Sequence, residues 1–97
     1  MLTSKQRSYL RSLAHNMDPI FQIGKLGIEE NFLKQVDSAL EARELIKIKV
    51  LNNSEFTARE ACELLCDELR CEGVQVIGNK LVLYRKSQKK AKKLELP

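Results

Sequence analysis

Extended and helical patterns alternate along this chain, and their order limits the folds that it can adopt. The spacing of apolar residues predicts the element order α-β-α-β-α-β-β. Two strand–helix units followed by a hairpin favour a four-stranded mixed sheet, because each unit returns the chain to the same sheet. We therefore expect an α/β fold of two layers, with the helices packed on one face of the sheet.

The helices are marked by local start signals. Thr3 with Gln6, and Thr57 with Glu60, have the spacing of a capping box, in which each side chain bonds the other residue's backbone N–H. A Glu-Gly step after the third helix is the expected stop signal. The predicted helices span about residues 3–15, 29–42 and 57–72, with Glu72-Gly73 as that stop.

The strands are predicted at residues 19–23, 44–51, 74–77 and 80–84, and Gly78-Asn79 forms a two-residue hairpin turn between the last two. In the second strand, Ile46, Ile48 and Val50 share one face, which is the expected core face. Lys47 and Lys49 lie on the other face. A solvated sheet surface and a track for nucleic acid explain these two lysines equally well.

Composition places the chain among small soluble proteins. Its 97 residues are enough for one domain, and no apolar run approaches the 18 or more residues of a membrane span. The first residues lack the apolar segment of a secretory signal, so we expect a cytoplasmic protein. An odd number of cysteines fits a reducing compartment, and Cys62, Cys66 and Cys71 are expected to be small core thiols. The alternative is a zinc site, for which His15 is the sole histidine.

The net charge of +4 is concentrated at the C-terminus. Residues 86–97 contain five lysines and one glutamate, which gives 5 − 1 = +4, while residues 1–85 contain 12 basic and 12 acidic side chains. Apolar periodicity is lost beyond Arg85 until Leu94 and Leu96. We therefore expect a single domain over residues 1–85 and a flexible basic tail over residues 86–97.

A G-x-x-G step, Gly24-Lys25-Leu26-Gly27, joins the first predicted strand to the second helix. Glycines let the backbone approach a ligand closely, and the free N–H groups of the following helix favour an anion such as phosphate. Lys25 adds a positive charge. Glu29 and Glu30 add negative charge at the same helix start and oppose an anion. A tight turn that binds nothing is the alternative.

Signatures of catalysis are thin. The sequence has no Walker P-loop, Rossmann fingerprint, G-x-S-x-G elbow or H-E-x-x-H motif. A cysteine nucleophile would need His15 beside a thiol of the acidic third helix, where carboxylates disfavour a thiolate. The chain is expected not to be an enzyme.

Basic residues in the first helix, the second strand and the tail favour RNA binding instead. The few aromatic residues favour recognition of backbone and shape over base stacking.

Several motifs occur in a characteristic order: Leu13-Ala14-His15, Pro19, the G-x-x-G step, Leu45-Ile46-Lys47-Ile48-Lys49 and the strand-turn-strand segment 75–85. Together they resemble the YhbY family, the stand-alone bacterial form of the CRM (chloroplast RNA splicing and ribosome maturation) domain. The resemblance covers about residues 3–85. It implies an RNA-binding domain similar in fold to the C-terminal domain of translation initiation factor 3.

The resemblance also implies a partner, which is precursor large-subunit ribosomal RNA during ribosome assembly, and an RNA-contacting loop formed by Gly24, Lys25, Leu26 and Gly27. Glu29 departs from the Thr, Ser or Asp cap expected after this loop. We expect a monomer with no cofactor, metal or small-molecule substrate. The alternative is a protein-interaction module that docks onto a ribosomal protein or assembly factor through the acidic third helix or the sheet. The further candidate RNA contacts are Lys5, Arg7, Arg11, Lys47, Lys49, Lys80 and Arg85.

Overall fold

Three helices and four strands form in the predicted order in the computed structural model, which describes residues 2–88 and 94–97. One mixed sheet has the strand order β1-β2-β4-β3, with β1 parallel to β2 and both other pairings antiparallel. The predicted α/β class and four-stranded mixed sheet are confirmed. The elements are α1 (Ser4–Ala14), β1 (Phe21–Ile23), α2 (Glu30–Arg43), β2 (Leu45–Val50), α3 (Ala58–Leu69), β3 (Glu72–Ile77) and β4 (Lys80–Tyr84).

Both predicted capping boxes are present. Gln6 N–H donates to Thr3 Oγ1 at 3.1 Å, and Thr3 N–H donates to Gln6 Oε1 at 3.0 Å. Thr57 and Glu60 make the same reciprocal pair at 3.1 and 2.9 Å. Each box satisfies backbone donors that the first helical turn leaves unpaired, so the local sequence sets where α1 and α3 begin.

The predicted end of the third helix is wrong. Helix α3 ends at Leu69, and Arg70 then takes the left-handed conformation with φ 52°. Glu72 and Gly73 instead open β3 and pair with β4. A Cβ on Gly73 would lie 2.8 Å from Cys62 Sγ, which is closer than side chains can pack. Gly73 therefore lets β3 approach α3 and does not terminate the helix.

Helices α2 and α3 cover one face of the sheet, as predicted. Their apolar positions, such as Val36, Leu40 and Leu65, pack against Ile46, Ile48, Leu81 and Leu83 in the main core. The alternation of β2 places these isoleucines on one face, and the register of β4 aligns its two leucines with them. Cys62 and Cys71 are buried in this core, and all three cysteines are free thiols.

Helix α1 departs from the predicted arrangement, because it packs on the opposite face of the sheet. Leu10 and Ala14 are buried there against a second apolar cluster. One end of this face is apolar and is covered by α1. The other end carries the strand lysines and is open to solvent. The sheet residues of the second cluster are Leu45, Val74, Val82 and Tyr84.

Described parts of the C-terminal segment contact this body. Glu44 is fully buried at the end of α2, where its φ is 65°. Its carboxylate accepts the N–H of Ser87 at 2.7 Å and the N–H of Leu94 at 2.6 Å. Leu94 and Leu96 also pack on the second cluster. Four of the five tail lysines fall in segment 89–93, outside the described residues, and the division at residue 85 stays a prediction.

Within residues 2–88 and 94–97, no helix is both long enough and apolar enough to span a membrane.

Substitution Glu44→Gln tests how this buried carboxylate holds the C-terminal segment. A carboxamide offers one acceptor oxygen where the carboxylate offers two, so one of the two backbone N–H groups loses its partner. We expect faster amide hydrogen exchange at Ser87 or Leu94 and a loss of about 1–3 kcal/mol in the free energy of unfolding. Glu63→Gln, at an exposed position of α3, is the matched control. Unchanged exchange at both amides would show that the carboxylate does not hold the segment.

Candidate nucleic-acid interface

The GxxG loop (Gly24, Lys25, Leu26 and Gly27) connects the end of β1 to α2, as predicted. Gly27 N–H donates to Gly24 O at 3.0 Å, which closes a four-residue turn. Lys25 and Leu26 form the tip of this turn, and the Leu26 side chain is 80% exposed. The loop therefore presents a mobile cation, an apolar side chain and accessible backbone to solvent.

The two glycines of the loop are required for different reasons. A Cβ on Gly24 would lie 3.3 Å from Asn53 Oδ1 and 3.4 Å from Leu51 Cδ1. Gly24 thus allows the loop to pack closely against the segment that follows β2. Gly27 has a φ of +73°, a left-handed conformation that costs other residues about 1–2 kcal/mol.

A cavity of about 440 Å³ opens beside the loop. The loop forms one wall, the first two turns of α2 form another, and the segment after β2 forms a third. Its remaining lining residues are Gln22, Glu29, Asn31, Phe32, Gln35, Leu51 and Asn53.

At the start of α2, the N-cap side chain does not accept a hydrogen bond from the backbone N–H groups of the first turn. Glu29 occupies the N-cap position, and its carboxylate makes no capping hydrogen bond. The N–H groups of the first turn, together with the helix dipole, therefore favour an acceptor or an anion near the loop. Glu29 itself lines the cavity and opposes an anion inside it. Glu30 lies outside this cavity, in the groove between α2 and α3, where Lys34 pairs with it at 3.6 Å.

The sheet brings three predicted basic residues together near the loop. Lys49 in β2 lies directly opposite Lys80 in β4, and Gln22 in β1 lies on the other side of Lys49. Ile77 in β3 completes this row and is 61% exposed. Lys47 follows one row further along the same face. We call these three lysines, Lys47, Lys49 and Lys80, the lysine row, although they occupy two adjacent rows of the sheet. They lie on the face opposite α2 and α3, near the point where the GxxG loop leaves β1.

Residues on α1 lie at the other end of this face. Lys5 is exposed and Arg11 is half-buried, on a helix that packs over the Leu45 and Tyr84 end of the sheet. The Arg7 guanidinium donates a hydrogen bond to Gly73 O and so ties α1 to β3. Arg7 is therefore engaged within the protein, while Lys5 and Arg11 lie on the helix that covers the apolar end of this face.

Arg85 lies at the opposite end of β4 from Lys80 and points toward the helices. Its guanidinium donates to Asp37 Oδ1 at 2.8 Å and to Leu69 O at 2.9 Å, which joins α2 to the end of α3. Its side chain is 18% exposed. These contacts give Arg85 a structural role that the sequence did not indicate.

The single histidine and the thiols do not meet. His15 is the exposed C-cap of α1, while the thiols lie in the core on the other face of the sheet. A hydrogen bond with Cys66, together with burial, raises the pKa of the Cys62 thiol, whereas a hydrogen bond from Cys66 lowers the pKa of Cys71. A histidine-activated thiol is therefore not assembled among the described residues.

Four carboxamide side chains that sequence reasoning missed also meet at the cavity. Gln22, Asn31, Gln35 and Asn53 come from β1, α2 and the segment after β2, and all four are exposed. Polar amides at exposed positions are ordinary, so the sequence carried no signal for them. Only the parallel pairing of β1 with β2 reveals that they converge.

Comparison with known proteins identifies relatives along the whole chain. The family model described as the CRS1 / YhbY (CRM) domain matches residues 2–85. The Bacillus subtilis (strain 168) protein named "Probable RNA-binding protein YqeI" is 52% identical over 97 residues, which are 100% of both chains. A Haemophilus influenzae protein named "RNA-binding protein" is 36% identical over 96 residues, or 99% of this chain and 95% of that protein. The solution structure of the hypothetical protein SAV1595 from Staphylococcus aureus has a TM-score of 0.81 at 59% identity and covers 100% of both chains. The family resemblance seen in the motifs is confirmed.

Replacement of Arg85 by Gln tests its structural role. The variant loses the ion pair with Asp37 and the donor to Leu69 O, so we expect the free energy of unfolding to fall by about 1–2 kcal/mol in chemical denaturation. Lys86→Gln removes the same charge from the next, exposed position and is expected to change stability by less than about 0.5 kcal/mol. Equal effects of the two changes would argue against a structural Arg85.

Proposed function

Because the chain belongs to the CRS1 / YhbY (CRM) domain family, we propose that it is a non-catalytic RNA-binding protein that holds the RNA backbone with the GxxG loop and the lysine row. One observation carries the proposal: Lys49 and Lys80 lie directly opposite each other in the sheet row nearest the loop. The GxxG loop and the uncapped start of α2 agree with an anionic ligand, whereas Glu29 opposes one.

Like charges on directly opposed strand positions destabilise a sheet. The repulsion between Lys49 and Lys80 therefore destabilises the free protein, whereas a phosphate bound between the two side chains would remove this repulsion. Lys47 lies two residues from Lys49 on the same strand and extends the positive face. Phosphate contacts by such lysines dominate the affinity of most proteins for nucleic acid.

The GxxG loop supplies a different kind of phosphate contact. Its two half-buried glycines carry no Cβ that would hinder a close approach, and the uncapped start of α2 directs free N–H groups toward the same region. Lys25 at the tip adds a charge that can follow the ligand. Glu29 weakens this site for an anion, so the loop depends on the lysine row to bind RNA tightly.

For the identity of the RNA we propose precursor large-subunit ribosomal RNA, bound by a cytoplasmic monomer during ribosome assembly. The support is the family, whose stand-alone bacterial members the motifs resemble. RNA contacts by Lys5, Arg7, Arg11 and Arg85 remain predictions; the internal bonds of Arg7 and Arg85 make these two the weaker candidates.

A carboxylate placed in the loop tests the loop contact. Gly27→Asp sets a negative charge beside the start of α2, and we expect at least about tenfold weaker binding to a large-subunit ribosomal RNA fragment, because a charge-assisted contact is lost. Asn16→Asp makes the same change of charge at the exposed end of α1 and should bind nearly as well as the wild type. Wild-type affinity in Gly27→Asp would remove the loop from the RNA surface.

Neutral replacements test the lysine row through the salt dependence of binding. In Lys49→Gln and Lys80→Gln, the slope of log K against log salt should fall by roughly 0.7–0.9 each, without a change of RNA preference. Either change should also stabilise the free protein by a few tenths of a kcal/mol, because the opposed charges are separated.

Lys34→Gln is the control, since Lys34 lies on α2 and pairs with Glu30. An unchanged slope in both strand variants, or an equal fall in the control, would contradict phosphate contact by the row. Should the protein stay with a protein-only complex after ribonuclease treatment of cell extract, the docking alternative would be favoured instead.

A further inference from the structure

The cavity beside the GxxG loop has a chemistry different from that of the lysine row. Its polar side chains are mainly the four carboxamides Gln22, Asn31, Gln35 and Asn53. Within segments 2–88 and 94–97, none of these amide groups bonds to another part of the protein. Each carboxamide offers a hydrogen-bond donor beside an acceptor, without a charge.

The apolar part of the cavity includes an aromatic ring in a fixed orientation. Phe32 packs edge-to-face against Phe21, with 5.7 Å between the ring centroids and 73° between the ring planes. Phe32 is half-buried, and Leu51 and the exposed Leu26 lie on the same lining. A flat ligand can therefore contact apolar surface while its edge reaches the amides.

We propose that this cavity accepts one unstacked nucleobase of single-stranded RNA and reads its edge through Asn31 and Gln35; the inference rests on the proposed RNA-binding function. Proteins recognise splayed-out bases by combining an aromatic contact with hydrogen bonds to the base edge. Asparagine and glutamine pair best with adenine, whose N6 donor lies beside its N7 acceptor. Adenine is accordingly the expected base.

Glu29 supports a base in preference to a phosphate in this cavity. Its carboxylate lines the cavity and would repel an anion there, but it can accept a hydrogen bond from the amino group of a base. Lys25, at the loop tip, also lines the cavity and offsets this negative charge, while the lysine row lies outside the cavity and remains free for the backbone. The two regions together match one nucleotide, with its phosphate outside and its base inside.

The cavity also has a size suited to this occupant. Its volume of about 440 Å³ lies within the range of roughly 300–1,000 Å³ that is usual for small-ligand sites. Two chain segments form it, residues 22–35 and residues 51–53, and the Leu51 N–H bond to Ile23 O at 2.8 Å holds them together. The site is therefore largely formed before RNA arrives.

Binding of labelled adenylate, uridylate and cytidylate homopolymers at several salt concentrations tests the inference. We expect the wild type to prefer the adenylate polymer by about 5–150-fold, the effect of one good bidentate contact. Asn31→Ala and Gln35→Ala should lose most of that preference while the salt slope stays unchanged, because neither change removes a charge. Asn16→Ala, at an exposed site on α1, is the control.

A second measurement separates the base from the phosphate. Adenosine monophosphate should shift the side-chain amide resonances of Asn31 and Gln35 and the ring resonances of Phe32, whereas ribose 5-phosphate should leave them in place. Equal shifts by both compounds would overturn the inference, as would equal affinity of the wild type for the three polymers or an unchanged adenylate preference in both alanine variants.

The outcomes also distinguish this inference from the function on which it rests. If the wild type binds all three polymers equally and Lys49→Gln still lowers the salt slope, RNA binding stands and only the base site fails. If the wild type binds no polymer and no ribosomal RNA fragment, the proposed function itself fails.

Discussion

The candidate interface depends on the parallel pairing of β1 with β2. Phe21 to Ile23 pair in register with Ile48 to Val50, and the bond from Leu51 N–H to Ile23 O carries the pairing to the base of the loop. The carboxyl ends of both strands therefore lie at the same edge of the sheet, where ligands of open α/β sheets usually bind. The loop, the cavity and the row that contains Lys49 all follow from this register.

Departures from ordinary stability rules collect at this edge. The start of α2 lacks a side-chain cap, two lysines oppose each other across strands, and Leu26 and Ile77 expose large apolar surfaces. At the opposite edge the groups are satisfied: Arg85 is hydrogen-bonded and the buried Glu44 accepts two backbone donors. The opposite edge has departures of its own, since Glu44 and Arg70 have positive φ, but there the buried carboxylate is hydrogen-bonded. Departures without an internal partner among the described residues collect at the loop edge, where function is expected.

Local signals predicted much of this fold. Capping boxes, the hairpin turn, the alternation in β2 and the position of the GxxG loop depend on residues close in sequence, so the sequence alone was sufficient for them. The role of Gly73 could not be predicted from its neighbours in sequence. A glycine is required there because β3 passes close to Cys62 on α3. The place of α1 escaped prediction because the face of β2 that carries Lys47 and Lys49 was expected to face solvent or nucleic acid, although it is apolar at its far end, around Leu45.

Charge alone was a poor guide to which basic residues share a surface. Lys49 and Lys80 are 31 positions apart in the sequence, and only the antiparallel register of β2 with β4 brings them together. Arg85 looked equivalent to them, but the alternation of β4 turns it to the helix-covered face, where Asp37 holds it. The carboxamides of the cavity are an even clearer case, because uncharged groups leave no trace in a charge profile.

From the sequence alone, Glu29 is only a weakness of the loop, since a carboxylate opposes phosphate. The geometry changes its meaning, because Glu29 lines the cavity beside Lys25, while Lys49 lies outside it. A carboxylate in that place offsets the charge of Lys25 and can accept a hydrogen bond from a neutral base, which leaves the phosphate to the lysine row. The same residue that lowers the electrostatic affinity of the loop can thus direct how RNA enters, and a Ser or Thr cap at position 29 would favour phosphate in both places and lose that distinction.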